Sequence, residues 1–484
     1  MTEASQGHSL SLLEAVFPVA CLILLVALSY FLFGDAGAEG PNQIALVVAT
    51  MIAVLVGRRS GVSLDELREA AIESVGSGIG AIFILFAVGS LIGTWAMSGT
   101  LLAMVYYGLQ LLSPSYFYMT AAAICAAVSA SIGSSWTVVG TIGIGLMGIS
   151  TSMDLSPAIT AGAIISGAYF GDKSSPLSDS ANLAAAAAGV NLYTHVRETL
   201  ITSGIALPIA LLFFFFLGEP GDFDAGYKMA AIEESFHITP VLFLPLVVVI
   251  VLALLKLPPF TSIFVGALVG GILAIVVAPD RVIDFAAAGE YVPTWLALIK
   301  GVWIALASGY VSDSGDAVID QLVTRGGMSS MLNTIWLVIT ALAFGGVVER
   351  TGILTRLITP VVAAAKSTGA LVSALVGAVI ATNVATADQY IALVLPGRMF
   401  RSAFEKRGYA PVVLSRAVGD SATPTSALIP WNSCGAYMAA TLGVATFSYA
   451  PYAVFNFVSP LLTIAIAFAG FRMLRSAAHV PKPE

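Results

Sequence analysis

Four aspartates stand inside otherwise apolar stretches of the 484-residue chain, namely Asp172, Asp179, Asp388 and Asp420. An unpaired carboxylate is costly in hydrocarbon, so such residues must line a cavity or pack against protein. Carboxylate, hydroxyl and amide oxygens suit a small hard cation, and a desolvated carboxylate can hold a proton instead. The four aspartates therefore predict a buried site for a small cation or a proton.

Neighbouring hydroxyl and amide side chains complete the predicted ion-binding set. They are Ser175, Ser178, Asn182, Asn383, Thr386 and Thr423. Among the acids, Asp172, Asp179 and Asp388 are predicted to be central, but the sequence does not separate a direct ligand from a carboxylate behind it. Lys173 is predicted to be a charge partner. It is either a permanently paired lysine or an ammonium that replaces the ion when the ion is absent.

The composition sets these residues in a membrane protein. Hydrophobic residues make up 58% of the chain and charged residues 10%, whereas a soluble domain has roughly 45–50% and 25%. The mean hydropathy of +0.93 favours one polytopic membrane domain over several soluble ones. Apolar runs predict spans near residues 12–33, 41–57, 78–98, 196–218, 240–256, 260–278, 331–348 and 450–471.

Other apolar segments are short or interrupted by polar residues. They are residues 100–112, 116–132, 136–151, 157–170, 294–308, 369–381, 384–397, 412–418 and 427–442. Some of these are predicted to enter and leave the bilayer on one side. The expected fold is therefore an all-α polytopic membrane protein of about twelve transmembrane helices, with discontinuous or re-entrant helices at the centre.

Weak internal repetition divides the chain into two halves. The segment that begins Gly171-Asp-Lys-Ser-Ser-Pro is similar to the one that begins Gly419-Asp-Ser-Ala-Thr-Pro, about 248 residues later. A lone segment of this kind is typical of a surface turn, but its recurrence after a polar, broken helix in each half favours a buried site. We predict halves at residues 1–217 and 240–484, joined by an external acidic linker at 218–239.

The charge pattern predicts the orientation of these halves. The loop that follows each polar stretch differs in charge: residues 149–156 carry only Asp154, whereas residues 398–407 carry four basic side chains. By the positive-inside rule the repeats are therefore inverted and both termini are cytoplasmic, in the cell inner (plasma) membrane. The N-terminus lacks a basic n-region, so we expect it to stay in the mature protein.

Several functional classes are disfavoured by what the sequence lacks. The net charge of -7, without a basic patch, argues against a nucleic-acid partner. No Walker A, HExxH or GxSxG pattern occurs, so ATP-driven pumping and intramembrane hydrolysis are disfavoured, and no cofactor or transition-metal site is expected. A channel is also disfavoured, because channels favour rings of like residues and this chain carries two unlike polar repeats.

Several segments resemble the NhaC family of sodium/proton antiporters. They are YFGDKSSPLSDSANL from Tyr169, LIGTWAMSGTLLAMVYYGLQLLSP from Leu91, LVTRGGMSSMLNT from Leu322 and FGGVVERTGIL from Phe344. The resemblance runs from about Ile44 to Phe468. It implies a fold related to the inverted-repeat ion-transporter superfamily, and exchange of cytoplasmic Na+ for external H+ across the lipid bilayer.

The proposed coupling is competition, in which Na+ and H+ occupy the same carboxylates in turn and alternating access exposes them to each side. The family also includes proteins similar to malate/lactate exchangers, so Na+- or H+-coupled exchange of small organic anions is the alternative. Stoichiometry, selectivity, the mode of motion and the oligomeric state, a homodimer included, are left open.

Overall fold

The computed structural model describes residues 10–218, 226–289 and 291–476, and these residues are almost entirely helical. The first half contains α1 (Leu12–Phe33), α2 (Pro41–Arg59), α3 (Leu64–Ser77), α4 (Ile79–Ser98), α5 (Thr100–Leu111), α6 (Phe117–Ile132), α7 (Ser135–Val138), α8 (Ile144–Ser152), α9 (Pro157–Ser174), α10 (Asp179–Ala188) and α11 (Leu192–Phe216). A five-residue π-helical segment, Val139–Gly143, joins α7 to α8.

The rest of the described chain continues with the same kind of element. It contains α12 (Gly226–Ser235), α13 (Leu244–Leu254), α14 (Pro259–Val277), α15 (Pro279–Ala286), α16 (Thr294–Ser308), α17 (Ala317–Val323), α18 (Leu332–Arg350), α19 (Ile353–Ala364), α20 (Thr368–Thr386), α21 (Gln389–Lys406), α22 (Pro411–Ser426), α23 (Ser433–Leu442), α24 (Thr446–Tyr449) and α25 (Val454–Phe468). This part of the described chain also contains two isolated β-bridges, which pair Tyr310 with Arg325 and Tyr409 with Arg475.

By length and composition, eight helical segments of the described chain can cross a membrane, or nine if the bent pair Thr446–Tyr452 and Val454–Phe468 is one span. Four shorter apolar helices of 10–17 residues accompany them. The all-α, polytopic fold is thereby confirmed, whereas the count of about twelve spans stays a prediction.

Two of the segments predicted to be short or broken are uninterrupted span candidates. Segments 116–132 and 369–381 fall within Pro114–Ile132 and Thr368–Thr386. Hydroxyl side chains shorten the apolar run in the sequence, but they do not stop the helix, because such a hydroxyl can donate to a carbonyl one turn earlier. The Thr382 hydroxyl, for example, lies 2.8 Å from the carbonyl oxygen of Ala378.

Conversely, the full-length span predicted for residues 240–256 is a short helix in the structure. The apolar helix there ends at Leu254, which leaves Pro240–Leu254 among the shorter helices. Lys256 has a positive φ of 63°, and Pro258 follows it directly before α14. A left-handed residue followed by proline cannot continue the helix, so the chain turns here.

Four helix breaks lie along the two halves: α6–α7, α9–α10, α20–α21 and α22–α23. After each break a side-chain oxygen caps the next helix by accepting backbone N–H groups. The caps are Ser134, Ser178, Asp388 and Asn432. At two breaks the preceding residue is left-handed, Gly133 with φ 79° and Ala387 with φ 56°.

The helix bounds support two related halves but not the register of the Gly-Asp repeat. Helices α6, α9 and α10 begin 251–254 residues before α20, α22 and α23. Asp172, however, lies two residues before the end of α9, whereas Asp420 lies six residues before the end of α22. At the offset of 254 residues between the starts of α9 and α22, and of α10 and α23, Asp420 lies six residues before the position equivalent to Asp172, which is more than one helical turn. The inverted orientation and the domain bounds stay predictions.

The predicted acidic linker is described in part, because Glu219, Asp222 and Asp224 lie outside the described residues. Its described part contains α12, whose Lys228 donates to Asp154 at 2.8 Å. Glu233 accepts a hydrogen bond from Tyr106 of α5. This part of the linker therefore packs against the ends of first-half helices.

A charged contact joins the start of α3 to the end of α18. The Arg350 guanidinium donates to Glu66 at 2.5 Å. The backbone N–H and the side chain of Ser63, together with Arg350, lower the pKa of Glu66 to about 2. Because this contact weakens only as the pH falls toward that value, it is present throughout the physiological range.

Candidate ion-binding site

A cavity of about 610 Å³ lies where the four helix breaks meet. Its wall contains residues of the α6–α7, α9–α10, α20–α21 and α22–α23 breaks, the start of α4 and the turn between α13 and α14. The polar side chains in its lining include Ser77, Ser134, Thr137, Asp172, Asp179, Ser180, Asn182, Lys256, Asp388, Gln389, Tyr390 and Ser433. Three carboxylates and one lysine therefore share this cavity.

Asp172 is the most completely hydrogen-bonded acid of the cavity. One carboxylate oxygen accepts from the hydroxyls of Ser178 at 2.8 Å and Ser180 at 2.9 Å, and the other accepts from Ser135 at 2.5 Å. No Lys or Arg among the described residues forms an ion pair with it. The side chain is only 8% exposed, so its negative charge is held by neutral donors alone.

The sequence brings these hydroxyls together through two packed helix breaks. A Cβ added at Gly133 would lie 2.6 Å from the Leu177 carbonyl carbon and 2.7 Å from the Ser178 nitrogen, so only glycine lets the α6–α7 and α9–α10 breaks approach this closely. Ser135 lies two residues after Gly133 and faces Asp172. Ser178 both caps α10 and donates to Asp172.

The other two acids of the cavity begin helices. Asp179 is exposed to the cavity in the first turn of α10, where the helix dipole favours a negative charge. Asp388 is 8% exposed and caps α21, with one oxygen accepting from the Tyr390 N–H at 2.6 Å and the Ile391 N–H at 2.9 Å. Each half of the chain thus contributes a carboxylate at a helix N-terminus.

Asp420 lies outside the cavity, in contact with Lys173. Their side chains are both 0% exposed, and the Lys173 ammonium lies 2.8 Å from the Asp420 carboxylate. The structure therefore separates Asp420 from the three acids of the cavity. Asn182 does line the cavity, and its amide N–H donates to the Ser178 carbonyl at 2.9 Å.

The remaining predicted residues do not line the cavity. The Ser175 hydroxyl accepts from the Leu177 N–H within the α9–α10 break. Asn383 donates to Thr425 at 3.0 Å and holds α20 against α22, while the Thr386 hydroxyl donates to the Thr382 carbonyl. Thr423 is buried in α22. The first three hold the broken helices in shape around the site.

Sequence reasoning missed Ser135 and Ser180, which donate to Asp172. Beside them the Trp136 ring, which lines the cavity, stacks on Tyr437 with their centroids 4.0 Å apart. The Tyr437 hydroxyl also donates to the Trp136 carbonyl at 2.7 Å, which ties the α6–α7 break to α23. The polar stretch that contains Ser135 was visible in the sequence, but its pairing with Asp172 was not.

These observations define a multi-pass, all-helical membrane protein with an acidic cavity at interrupted helices. The model of the Na+/H+ antiporter family matches residues 167–471. An Na(+)/H(+) antiporter NhaC of Alkalihalophilus pseudofirmus is 37% identical over 432 residues, covering 88% of this chain and 90% of that protein. The chain belongs to the Na+/H+ antiporter family, in its NhaC group.

Relatives named for other transport activities are similar to a comparable degree. A malate-2H(+)/Na(+)-lactate antiporter of Bacillus subtilis is 35% identical, with 95% of each chain covered. An arginine/ornithine antiporter ArcD of Halobacterium salinarum is 34% identical and covers 95% of this chain and 92% of that protein. All three relatives are named antiporters.

Proposed function

We propose that the protein exchanges cytoplasmic Na+ for external H+, with the two ions competing for Asp172 as alternating access exposes it to each side. The observation that carries the proposal is the environment of the Asp172 carboxylate. The carboxylate is buried at the cavity wall, holds three hydroxyl donors and has no cationic partner among the described residues. A buried charge without a counter-ion is costly, so the carboxylate strongly favours a bound cation or a proton.

The three hydroxyls suit both states of such a site. When no ion is bound, Ser135, Ser178 and Ser180 stabilise the carboxylate by donating to it. When Na+ binds, each hydroxyl can rotate and offer an oxygen lone pair to the ion. Asp179 and Asp388 add negative charge to the cavity and attract cations toward it.

Grouped basic residues support the proposed orientation in the plasma membrane with both termini inside. Arg350 meets the start of α3, and Arg407 donates to the Ser367 carbonyl at 2.9 Å. Arg475, near the end of the described chain, donates to the Arg407 carbonyl at 2.7 Å. The end of α18 thus contacts the first half at α3, and the basic residues of two later segments contact one another, as expected of a common cytoplasmic face.

Exchange of an organic solute is the second candidate, because a cavity of about 610 Å³ is larger than a sodium ion needs. A relative at 35% identity is named a malate-2H(+)/Na(+)-lactate antiporter. The charge of the cavity argues against an anionic cargo, because its lining, among the described residues, contains three carboxylates and a single lysine, Lys256. Its charge therefore favours a cation as the transported species.

The deciding assay uses purified protein in liposomes that contain a pH-sensitive dye, with the membrane potential clamped. We expect external Na+ to drive proton efflux without any organic solute, and choline chloride at equal concentration to drive none. If the interior pH changes only after malate, lactate, arginine or ornithine is added, the sodium/proton proposal is wrong and the organic exchange replaces it.

A substitution at Ser135 tests whether its hydroxyl serves the ion. With Na+ bound, the Ser135 oxygen is one of the proposed ligands, and losing a contact of this kind to a charge costs about 1.5–3 kcal/mol in the bound state, so we expect Ser135→Ala to raise the apparent KM for Na+ about tenfold or more. Ser131→Ala is the matched control, since its exposed hydroxyl donates to the Ala127 carbonyl of its own helix. Equal KM values in the two variants would remove Ser135 from the site.

A further inference from the structure

A second oxygen cluster surrounds a cation outside the cavity, where α9, α11, α22 and α25 meet. Asp420 accepts on one carboxylate oxygen from the Lys173 ammonium at 2.8 Å and the Thr202 hydroxyl at 2.9 Å. Its other oxygen accepts from Thr463 at 2.5 Å. The Ser459 hydroxyl oxygen lies 2.9 Å from the same ammonium. Four helices thus converge on one charge pair.

This cluster has nearly the same donors as the one at Asp172. Each aspartate accepts two hydrogen bonds on one oxygen and a short one, at 2.5 Å, on the other. At Asp172 all three donors are neutral hydroxyls, whereas at Asp420 one of them is an ammonium. The first carboxylate is therefore uncompensated, and the second is already neutralised.

The ammonium is also well accommodated where it lies. It donates to Asp420 and Ser459, and the Phe455 ring centroid lies 5.2 Å from its nitrogen. Both members of the pair are 0% exposed, and neither lines the cavity. Two oxygen partners and an aromatic face stabilise the ammonium in its position beside Asp420.

We propose that Asp420, Thr202, Ser459 and Thr463 form a second site for a monovalent cation, and that the ammonium of Lys173 is its permanent occupant. The oxygen set is of the kind that a small hard cation takes. The proposal uses the proposed function only to choose Na+ as the cation to test. Because the lysine is tethered to α9, Asp420 takes no part in ion exchange, and the acids of the cavity alone carry the transported ions.

Removing the lysine side chain tests the site directly. We expect Lys173→Ala to leave an uncompensated Asp420 that binds Na+, which adds a second Na+-dependent rise in Tm. At roughly 100 mM Na+ the rise over choline should be about twice that of the wild type, because each occupied site stabilises by mass action. The double variant K173A/D420N should return to the wild-type rise. Lys256→Ala, which removes the exposed lysine of the cavity, should not gain the second rise.

Transport by the double variant supplies an independent test. With the pair removed together, K173A/D420N should keep sodium-driven proton efflux with an apparent KM for Na+ within about threefold of the wild type. A folded double variant without exchange would place the pair on the transport path and overturn the proposal. So would a folded Lys173→Ala protein whose Tm responds to Na+ as the wild type does.

The two readouts also separate this proposal from the proposed function. The Tm shift measures binding and needs no transport, so it decides the second site even if the wild type exchanges no protons for Na+. If Lys173→Ala does not fold in either salt, the efflux of K173A/D420N decides whether the pair takes part in exchange.

Discussion

We expect Asp172→Asn to reduce sodium-driven proton efflux at least about 100-fold. The amide is close in shape to the carboxylate but carries no charge, so it can neither release a proton to the cavity nor neutralise Na+ there. Removing one member of a buried ion pair costs about 3–5 kcal/mol, and about 3 kcal/mol corresponds to more than about 100-fold in binding. The measurement is the initial rate of dye response in proteoliposomes over a range of Na+ concentrations.

The control for this substitution is Asp284→Asn, which makes the same change at an exposed aspartate on α15. It should leave both the maximal rate and the apparent KM for Na+ unchanged. Asp179→Asn and Asp388→Asn test the other acids that line the cavity. Undiminished exchange in a properly inserted Asp172→Asn protein would contradict the assignment of the site.

The three hydroxyls at Asp172 also predict how losing the carboxylate charge affects the stability of the protein. The amide introduced by Asp172→Asn would still accept a hydrogen bond on its oxygen, while its N–H could donate to one of the serines. The substitution therefore removes a buried charge without opening a cavity. We expect the Tm of Asp172→Asn in choline to equal or exceed that of the wild type, and the Tm rise in Na+ to be smaller.

The acids of the cavity could be predicted from the sequence because a charged residue within an apolar run is recognisable from the order of residues alone. Asp172, Asp179 and Asp388 stand out in this way, and the structure places all three on one cavity. Their partners could not be predicted, since they depend on packing between distant segments. Ser135 lies 37 residues from Asp172, and Asp420 lies 247 residues from Lys173.

The same limit explains why Asp420 was grouped with the acids of the cavity. The Gly-Asp repeat aligned it with Asp172, and nothing in the sequence shows that the helices end at different distances from the two residues. A shift of six residues moves a side chain by roughly 9 Å along a helix. Asp172 therefore lies beside the break that opens on the cavity, and Asp420 lies deeper, among α11, α22 and α25.

The largest effect on folding is expected at Gly171, which brings α9 against α6 immediately before Asp172. A Cβ at this position would lie 2.1 Å from the Ser129 carbonyl carbon and 2.2 Å from the Ala130 nitrogen. Both atoms are backbone, so the two helices must separate. Overpacking of this kind costs about 1–3 kcal/mol or more, and we expect Gly171→Ala to lower the Tm and the yield of folded protein.

Gly204→Ala is the matched control, because Gly204 lies exposed within α11 and an added Cβ would meet nothing within 4 Å. There the substitution should leave the Tm unchanged or raise it, since alanine is favoured over glycine in a helix by about 0.5–1 kcal/mol. The comparison also tests the site, because separating α9 from α6 moves Asp172 away from Ser135. The folded fraction of Gly171→Ala should therefore show a raised apparent KM for Na+, and equal KM values with an unchanged Tm would show that this contact does not position the carboxylate.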